Sequence, residues 1–158
     1  RGKISNEDFR NGIRKISGKN ISDDEIDFAW NSILLDLPVF KLKLLDELKQ
    51  NYRLFLLSNT NNIHIPVFEK SMNEKFGNQV FHSYFEKIYY SSQVNLRKPD
   101  RDIFELVLNE QNLIPENTIF IDDSIQHVEG ALKSGIRAFH LDLKKENLSD
   151  LLRREKLI

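Results

Sequence analysis

The sequence predicts an α/β fold whose mostly parallel sheet is covered by helices on both faces. Two observations carry that expectation: short apolar runs of strand length recur from about residue 53 onward, and stretches of helical periodicity separate them. Strands that alternate with helices need crossover connections, which are right-handed and lay neighbouring strands parallel. A third observation locates the chemistry. Three of the runs end abruptly in polar residues, Ser58-Asn59-Thr60, Ser91-Ser92 and Asp122-Asp123-Ser124. Ligands of open parallel sheets bind beyond the carboxyl ends of the strands, where backbone amides and helix N-termini gather.

The first third reads as helix. Ser5 with Asp8 has the spacing of an N-cap and its reciprocal acid, and Phe9, Ile13 and Ile16 then recur at helical spacing until Gly18 stops them. Ser22 with Glu25 opens a second helix, with Ile26, Ala29, Trp30, Ile33 and Leu34 on one apolar face. Pro38 then marks the approach to another folding unit. Residues 1–36 are expected to be a helical pair and residues 37–158 the α/β core.

Within that core, Phe40 to Gln50 has an amphipathic helical pattern. The strand-like runs are Arg53 to Leu57, Lys87 to Tyr90, Thr118 to Ile121 and Arg137 to Leu141. Helical patterns at Pro66 to Phe76, Arg101 to Glu110 and Ile125 to Lys133 lie between them. The aromatic stripe Phe76, Phe81, Tyr84 and Phe85 is most simply core.

Composition narrows the function classes. Of 158 residues, 40% are hydrophobic and 30% charged, as in ordinary globular proteins. Lys plus Arg total 23 against 24 acids, a net charge of -1, which gives no overall positive field for nucleic acid or anionic lipid. Any recognition of phosphate has to be local. Without cysteine there are no disulfides or thiolate metal sites, which suits a reducing cytoplasm. No apolar run reaches the roughly 18 residues of a membrane span. No stripe stands apart from the core as an interface, so the pattern assigns no oligomeric state.

Three groups carry the chemistry, each beside a plainer reading. Asp122 and Asp123 follow the apolar run Thr118-Ile119-Phe120-Ile121. Adjacent carboxylates repel, and a divalent cation makes such a pair favourable; hard oxygen donors suit Mg²⁺. The alternative is an N-cap for the next helix, by Asp123 or Ser124. Ser58, Asn59 and the amides of the following helix can cradle a phosphoryl group, or they can be a cap and turn. Lys98 stands before Pro99, which keeps it out of the helical region and preorganises the first turn of the next helix. A lysine fixed there can offset charge developing in phosphoryl transfer, or it can be an ordinary solvated side chain.

A hydroxyl-amide pair, then Lys-Pro, then paired Asp, in this order, resembles motifs two to four of the haloacid dehalogenase (HAD) superfamily. That resemblance implies a Rossmann-like core with part of a small helical cap inserted after the first strand. It implies Ser58 and Asn59 as phosphate binders and Lys98 as the motif-three lysine. Asp123 is then the direct Mg²⁺ ligand, and Asp122 acts through water or by holding Lys98. Where many relatives have a further acid, Gln126 or His127 stands here. Arg1-Gly2-Lys3-Ile4-Ser5, Leu57-Ser58-Asn59-Thr60-Asn61, His64, Leu96-Arg97-Lys98-Pro99 and Glu129-Gly130-Ala131 are most similar to bacterial sugar-phosphate phosphatases of that superfamily.

The superfamily's first motif, an Asp-x-Asp that supplies the nucleophile and the general acid/base, does not follow any strand-like run in this chain. The resemblance would place it before Arg1, on a central first strand between those ending at Leu57 and Ile121, so the chain is expected to be a fragment lacking that strand. The leading expectation is an Mg²⁺-dependent phosphomonoesterase acting through an aspartyl-phosphate when intact, and inactive as this chain alone. A non-catalytic phosphate-binding or regulatory module is one alternative. A haloacid dehalogenase proper is another, which the paired acids disfavour because those enzymes work without the metal. Of the histidines, His64 is expected to hydrogen-bond within its loop, His82 to lie on the surface, and His127 to stand near the metal.

Overall fold

The structure, a computed structural model, describes residues 4–158. Arg1-Gly2-Lys3, part of the resemblance above, lie outside the described residues. The chain divides into two compact units, Arg1–Asn95 and Leu96–Ile158. The two amino-terminal helices belong to the same unit as the first strands.

In the first unit, α1 spans Asn6–Ser17 and α2 spans Asp23–Asn31. Both start with the capping boxes that the sequence spells out. Ser5 Oγ accepts the Asp8 N–H at 3.0 Å, and Glu25 Oε2 accepts the Ser22 N–H at 2.9 Å. Gly18 ends α1 in the left-handed region at φ +66°, which glycine enters without a Cβ penalty. The Arg10 guanidinium forks onto both oxygens of Asp27, at 2.9 and 2.6 Å, and ties the helices together. The apolar face of α2 is shorter than its spacing suggests. The helix ends at Asn31, so Ile33 and Leu34 fall past its Ser32 cap, Ile33 is 64% exposed, and only Ile26 is buried.

The same unit continues with α3 (Phe40–Lys49), β1 (Phe55–Ser58), α4 (His64–Phe76), β2 (Lys87–Tyr90) and the single turn α5 (Ser91–Val94). Strands β1 and β2 are parallel, with Phe55 opposite Lys87 and Ser58 opposite Tyr90. The strand begins two residues later than the apolar run, and Arg53 ahead of it pairs with Glu86 at 2.8 Å. The unit's core is Leu42, Met72 and Phe81, with Leu56, Phe68, Phe76, Tyr84 and Phe85 packed around them. The aromatic stripe is therefore core, with Phe81 tilted against Phe85 at 5.2 Å and edge-on to Phe68 at 5.4 Å. His82 is not a surface residue. Its side chain is 23% exposed, Nε2 donates to Glu69 at 3.3 Å, and Nδ1 is buried without a partner among the described residues.

The second unit comprises α6 (Arg101–Glu110), β3 (Ile119–Asp122), α7 (Ile125–Lys133), β4 (Arg137–His140) and α8 (Leu148–Arg154). Strands β3 and β4 are parallel, with Ile119 opposite Arg137 and Asp122 opposite His140. Ile103, Phe104, Val128, Ala131, Leu151 and Leu152 are buried between these elements. Parallel pairing between alternating helices is thus as expected. The four strands form two separate two-stranded ladders among the described residues, where the sequence alone suggested one sheet. Helix α8 is an addition: Asn147 caps it through the Asp150 N–H at 3.1 Å, and Leu151 and Leu152 anchor it.

Candidate functional site

The sequence-assigned residues fall into two clusters. Ser58 and Asn59 belong to the first unit; Lys98, Asp122 and Asp123 belong to the second. Each cluster lies at the carboxyl end of a strand of its own ladder.

In the second unit, Asp122 is the last residue of β3 and its carboxylate is fully engaged. Oδ2 accepts from Lys98 Nζ at 2.7 Å, while Oδ1 accepts the Ser124 N–H at 2.8 Å and His127 Nδ1–H at 2.9 Å. A carboxylate only accepts, so Nδ1 of His127 carries the proton. Lys98 is 7% exposed, and its ammonium also lies 5.4 Å from the centre of the Phe120 ring, on the same strand β3 as Asp122. Burial, the largest single influence on Asp122, pushes its carboxyl up. The bonds from Lys98, Ser124 and His127 together outweigh burial and hold it below the usual carboxylate range. Lys98 and Asp122 are a buried ion pair, and the solvated-lysine reading falls.

Asp123 is different. It is exposed, and its carboxylate has no hydrogen bond or ion pair among the described residues. Its backbone carbonyl accepts from His140 Nε2–H at 3.0 Å, which fixes the residue while leaving the side chain open. Neither Asp123 nor Ser124 caps α7 with its side chain, so the cap alternative falls as well. The adjacent acids have separate jobs: one holds a lysine, the other is available.

Pro99 does not enter α6 but precedes its Asp100 cap position, across a cis Lys98–Pro99 peptide bond. The turn is packed instead by Gly130 of α7. A Cβ built on Gly130 would stand 2.4 Å from the Pro99 carbonyl oxygen and 3.0 Å from the Phe104 ring. Sequence reasoning singled out Gly130 within a motif but gave it no role. Gly130→Ala is expected to push the Lys98–Pro99 turn away from α7 and to destabilise the protein by about 1–3 kcal/mol, as overpacking does. Urea denaturation measures this; an unchanged midpoint would show that the turn yields freely.

In the first unit, Ser58 is half-buried and its hydroxyl has no partner among the described residues, while Asn59 is exposed. The loop after them is held in place by residues at the end of β2. Ser91 Oγ accepts the Thr60 N–H at 3.0 Å and donates to the Thr60 carbonyl at 2.9 Å, and Ser92 Oγ donates to Asn62 Oδ1 at 2.8 Å. Ser91 and Ser92 are buried. Their place at a strand end was legible, their partner was not. The cradle also differs in detail from expectation. Two amides at the start of α4, those of Ile63 and His64, are taken by Asn61 Oδ1 at 2.9 and 3.0 Å.

His64 is a hydrogen-bonder, though not within its loop. Its Nδ1–H donates to Asn31 Oδ1 of α2 at 2.8 Å, and its ring stacks on Trp30 at 5.6 Å, 1° from parallel. The residue is 6% exposed, and burial holds its imidazole below its ordinary value near 6.5. With the folded pKa below the unfolded one, the unfolded chain binds more protons between the two, so stability rises with pH there. The stability that neutral His64 confers is full above about pH 6.5 and is lost as pH falls through the folded value. Thermal melts from pH 7.5 to 5 should therefore fall more steeply for the wild-type chain than for His64→Asn. Equal slopes would assign the pH dependence elsewhere.

Among the described residues, no group of three His, Asp or Glu side chains could enclose a metal ion. The one Asp-x-Asp in the sequence, Asp100-Arg101-Asp102, opens α6 and does not end a strand. No helix of the described residues is long and apolar enough to cross a membrane.

Comparison with known proteins identifies the family. A family model described as haloacid dehalogenase-like hydrolase matches residues 34–141. A curated D-ribitol-5-phosphate phosphatase from Bacteroides thetaiotaomicron is 27% identical over 140 residues, covering 87% of this chain. The match spans 66% of that relative's length, just under two thirds. Among solved structures, an aspartate-to-alanine mutant of a HAD family enzyme from B. thetaiotaomicron, in complex with magnesium and inorganic phosphate, superposes with a TM-score of 0.87. It is 40% identical, and the match covers 96% of this chain and 74% of that one. A predicted HAD-like family hydrolase from Porphyromonas gingivalis is 31% identical at a TM-score of 0.84, covering 98% and 75%.

Proposed function

Because the chain belongs to the haloacid dehalogenase-like hydrolases, we propose that it is the phosphate- and metal-binding part of an Mg²⁺-dependent phosphomonoesterase. The observation that carries this reading is the division of labour at the end of β3: Asp122 buried against Lys98, Asp123 open. Ser58 and Asn59 bind the phosphoryl group, the first through a hydroxyl with no partner among the described residues. Lys98, held by Asp122, offsets charge on the phosphoryl oxygens as the bond breaks. Asp123 is the protein ligand for Mg²⁺, which lowers the charge on the phosphoryl group when bound. One open carboxylate suits this cation, because Mg²⁺ keeps several waters and binds through one or two carboxylates plus substrate phosphate. An enclosing group of acids is unnecessary.

The substrate is a small phosphorylated metabolite in the cytoplasm, a sugar phosphate by likeness to the D-ribitol-5-phosphate phosphatase. Turnover through an aspartyl-phosphate needs an Asp-x-Asp at a strand end, which this chain does not contain, so the chain alone binds phosphate without hydrolysing its esters.

Magnesium titration tests the assignment. Asp123→Asn should weaken Mg²⁺ binding, measured by calorimetry in the presence of phosphate, far more than Asp122→Asn does. Equal and negligible effects of the two substitutions would remove the metal from this pair.

A further inference from the structure

We infer that His64 is a positioning residue that fastens the loop bearing Ser58 and Asn59 to helix α2, so that the loop's readiness for phosphate depends on the docked helical pair; this rests on the phosphate-binding reading above. The argument begins with the loop. Its Asn61 side chain accepts the backbone N–H groups of both Ile63 and His64, which closes the turn onto the start of α4. The His64 ring then leaves that turn for α2, with Nδ1–H bonded to Asn31 and its face on Trp30. One residue therefore touches the loop through its backbone and the helical pair through its ring. Trp30 passes the contact on to α1, where Phe9 packs against it at 4.7 Å.

A second anchor limits how α2 can respond. At the other end of α4, the Lys75 ammonium binds the Asp36 carboxylate and the Leu37 carbonyl, just beyond α2. His64 and Lys75 are eleven positions apart, or about 16 Å along the helix at 1.5 Å per residue. The end of α2 and the segment after it are thus strapped along α4 at two points, and only the His64 end adjoins the loop. The Lys75 strap is exposed and contributes little, whereas the His64 joint is buried, stacked and hydrogen-bonded.

Two features of a fixed joint can be separated by substitution. His64→Asn keeps an N–H donor near the place of Nδ1 and loses the stack. His64→Phe keeps the stack and loses the donor.

Trp30 is the only tryptophan, so its emission reports this joint directly. The experiment titrates the purified chain with inorganic phosphate and follows Trp30 emission, with affinity measured independently by calorimetry. The expected result is an emission change that saturates with the calorimetric Kd. Affinity should fall by roughly 2- to 10-fold in His64→Ala, the worth of one hydrogen bond, and be largely restored in His64→Asn. A residue with only a general structural role would leave Trp30 insensitive to phosphate. Tight phosphate binding with silent Trp30 and unchanged affinity in His64→Ala overturns the inference and leaves the proposed function standing. No phosphate binding by calorimetry overturns the proposed function instead. Asn61→Ala then decides the joint: altered Trp30 emission supports coupling between loop and helix, and unaltered emission overturns it.

Discussion

The purified 158-residue chain is expected to bind inorganic phosphate yet release none from sugar phosphates. The two activities separate because they use different atoms. On the proposed reading, binding uses the Ser58 hydroxyl, the Asn59 carboxamide and the charge of Lys98, which Asp122 holds. Hydrolysis needs a carboxylate free to attack phosphorus. The carboxylates beside Lys98 are unsuited to that: Asp122 spends both oxygens on Lys98, Ser124 and His127, and Asp123 is assigned to the cation. Joining to the chain a segment that carries Asp-x-Asp on a strand should restore turnover. In the restored protein, Lys98→Ala should lower kcat by about 10²–10³-fold, the usual cost of removing one preorganised charge-stabilising donor. Phosphate release is followed colorimetrically with and without Mg²⁺. Magnesium-dependent release by the verified 158-residue chain alone would sink this account, since a carboxylate assigned here to the cation or to Lys98 would then be the nucleophile.

Asp122→Asn should be strongly destabilising. The side chains of Lys98 and Asp122 are 7% and 9% exposed, so the ammonium has little water to turn to when its partner loses its charge. Breaking a buried pair from one side costs about 3–5 kcal/mol, far more than the near-zero worth of most exposed pairs. For a chain of this size that is a fall in Tm of roughly 10 °C. Asparagine keeps a carbonyl for Ser124 and His127 but turns an amide N–H₂ toward the Lys98 ammonium, so Lys98 loses both the charge and the acceptor it had in Asp122. Adding Lys98→Met to Asp122→Asn should recover part of the loss, since no ammonium then faces a neutral amide. A single variant that melts within about 1 °C of the wild-type chain would mean that Lys98 finds solvent on its own.

What the sequence determined by itself was whatever depends on local chemistry and periodicity. The capping boxes at Ser5 and Ser22, the left-handed stop at Gly18, and the bounds of α6 and α7 were all legible, because each is decided within about four residues. The parallel pairing followed from alternation of elements, and the aromatic stripe was recognisable as core by composition. The order of the polar strand ends was enough to suggest the family.

Only tertiary structure could decide partners distant in the chain. That Asp122 reaches back 24 positions to Lys98 while its neighbour stays open depends on which way two adjacent side chains leave the end of β3. Successive residues on a strand point to opposite sides, but no sequence pattern says which side holds the lysine. The same limit hid the Ser91 and Ser92 bonds to the loop some thirty residues earlier, and the ring of His64 on Trp30. It also hid the need for glycine at position 130, which exists because the Pro99 carbonyl occupies the space of a Cβ. Helix α8, to which the sequence reading assigned nothing, is anchored by the burial of Leu151 and Leu152, a tertiary fact.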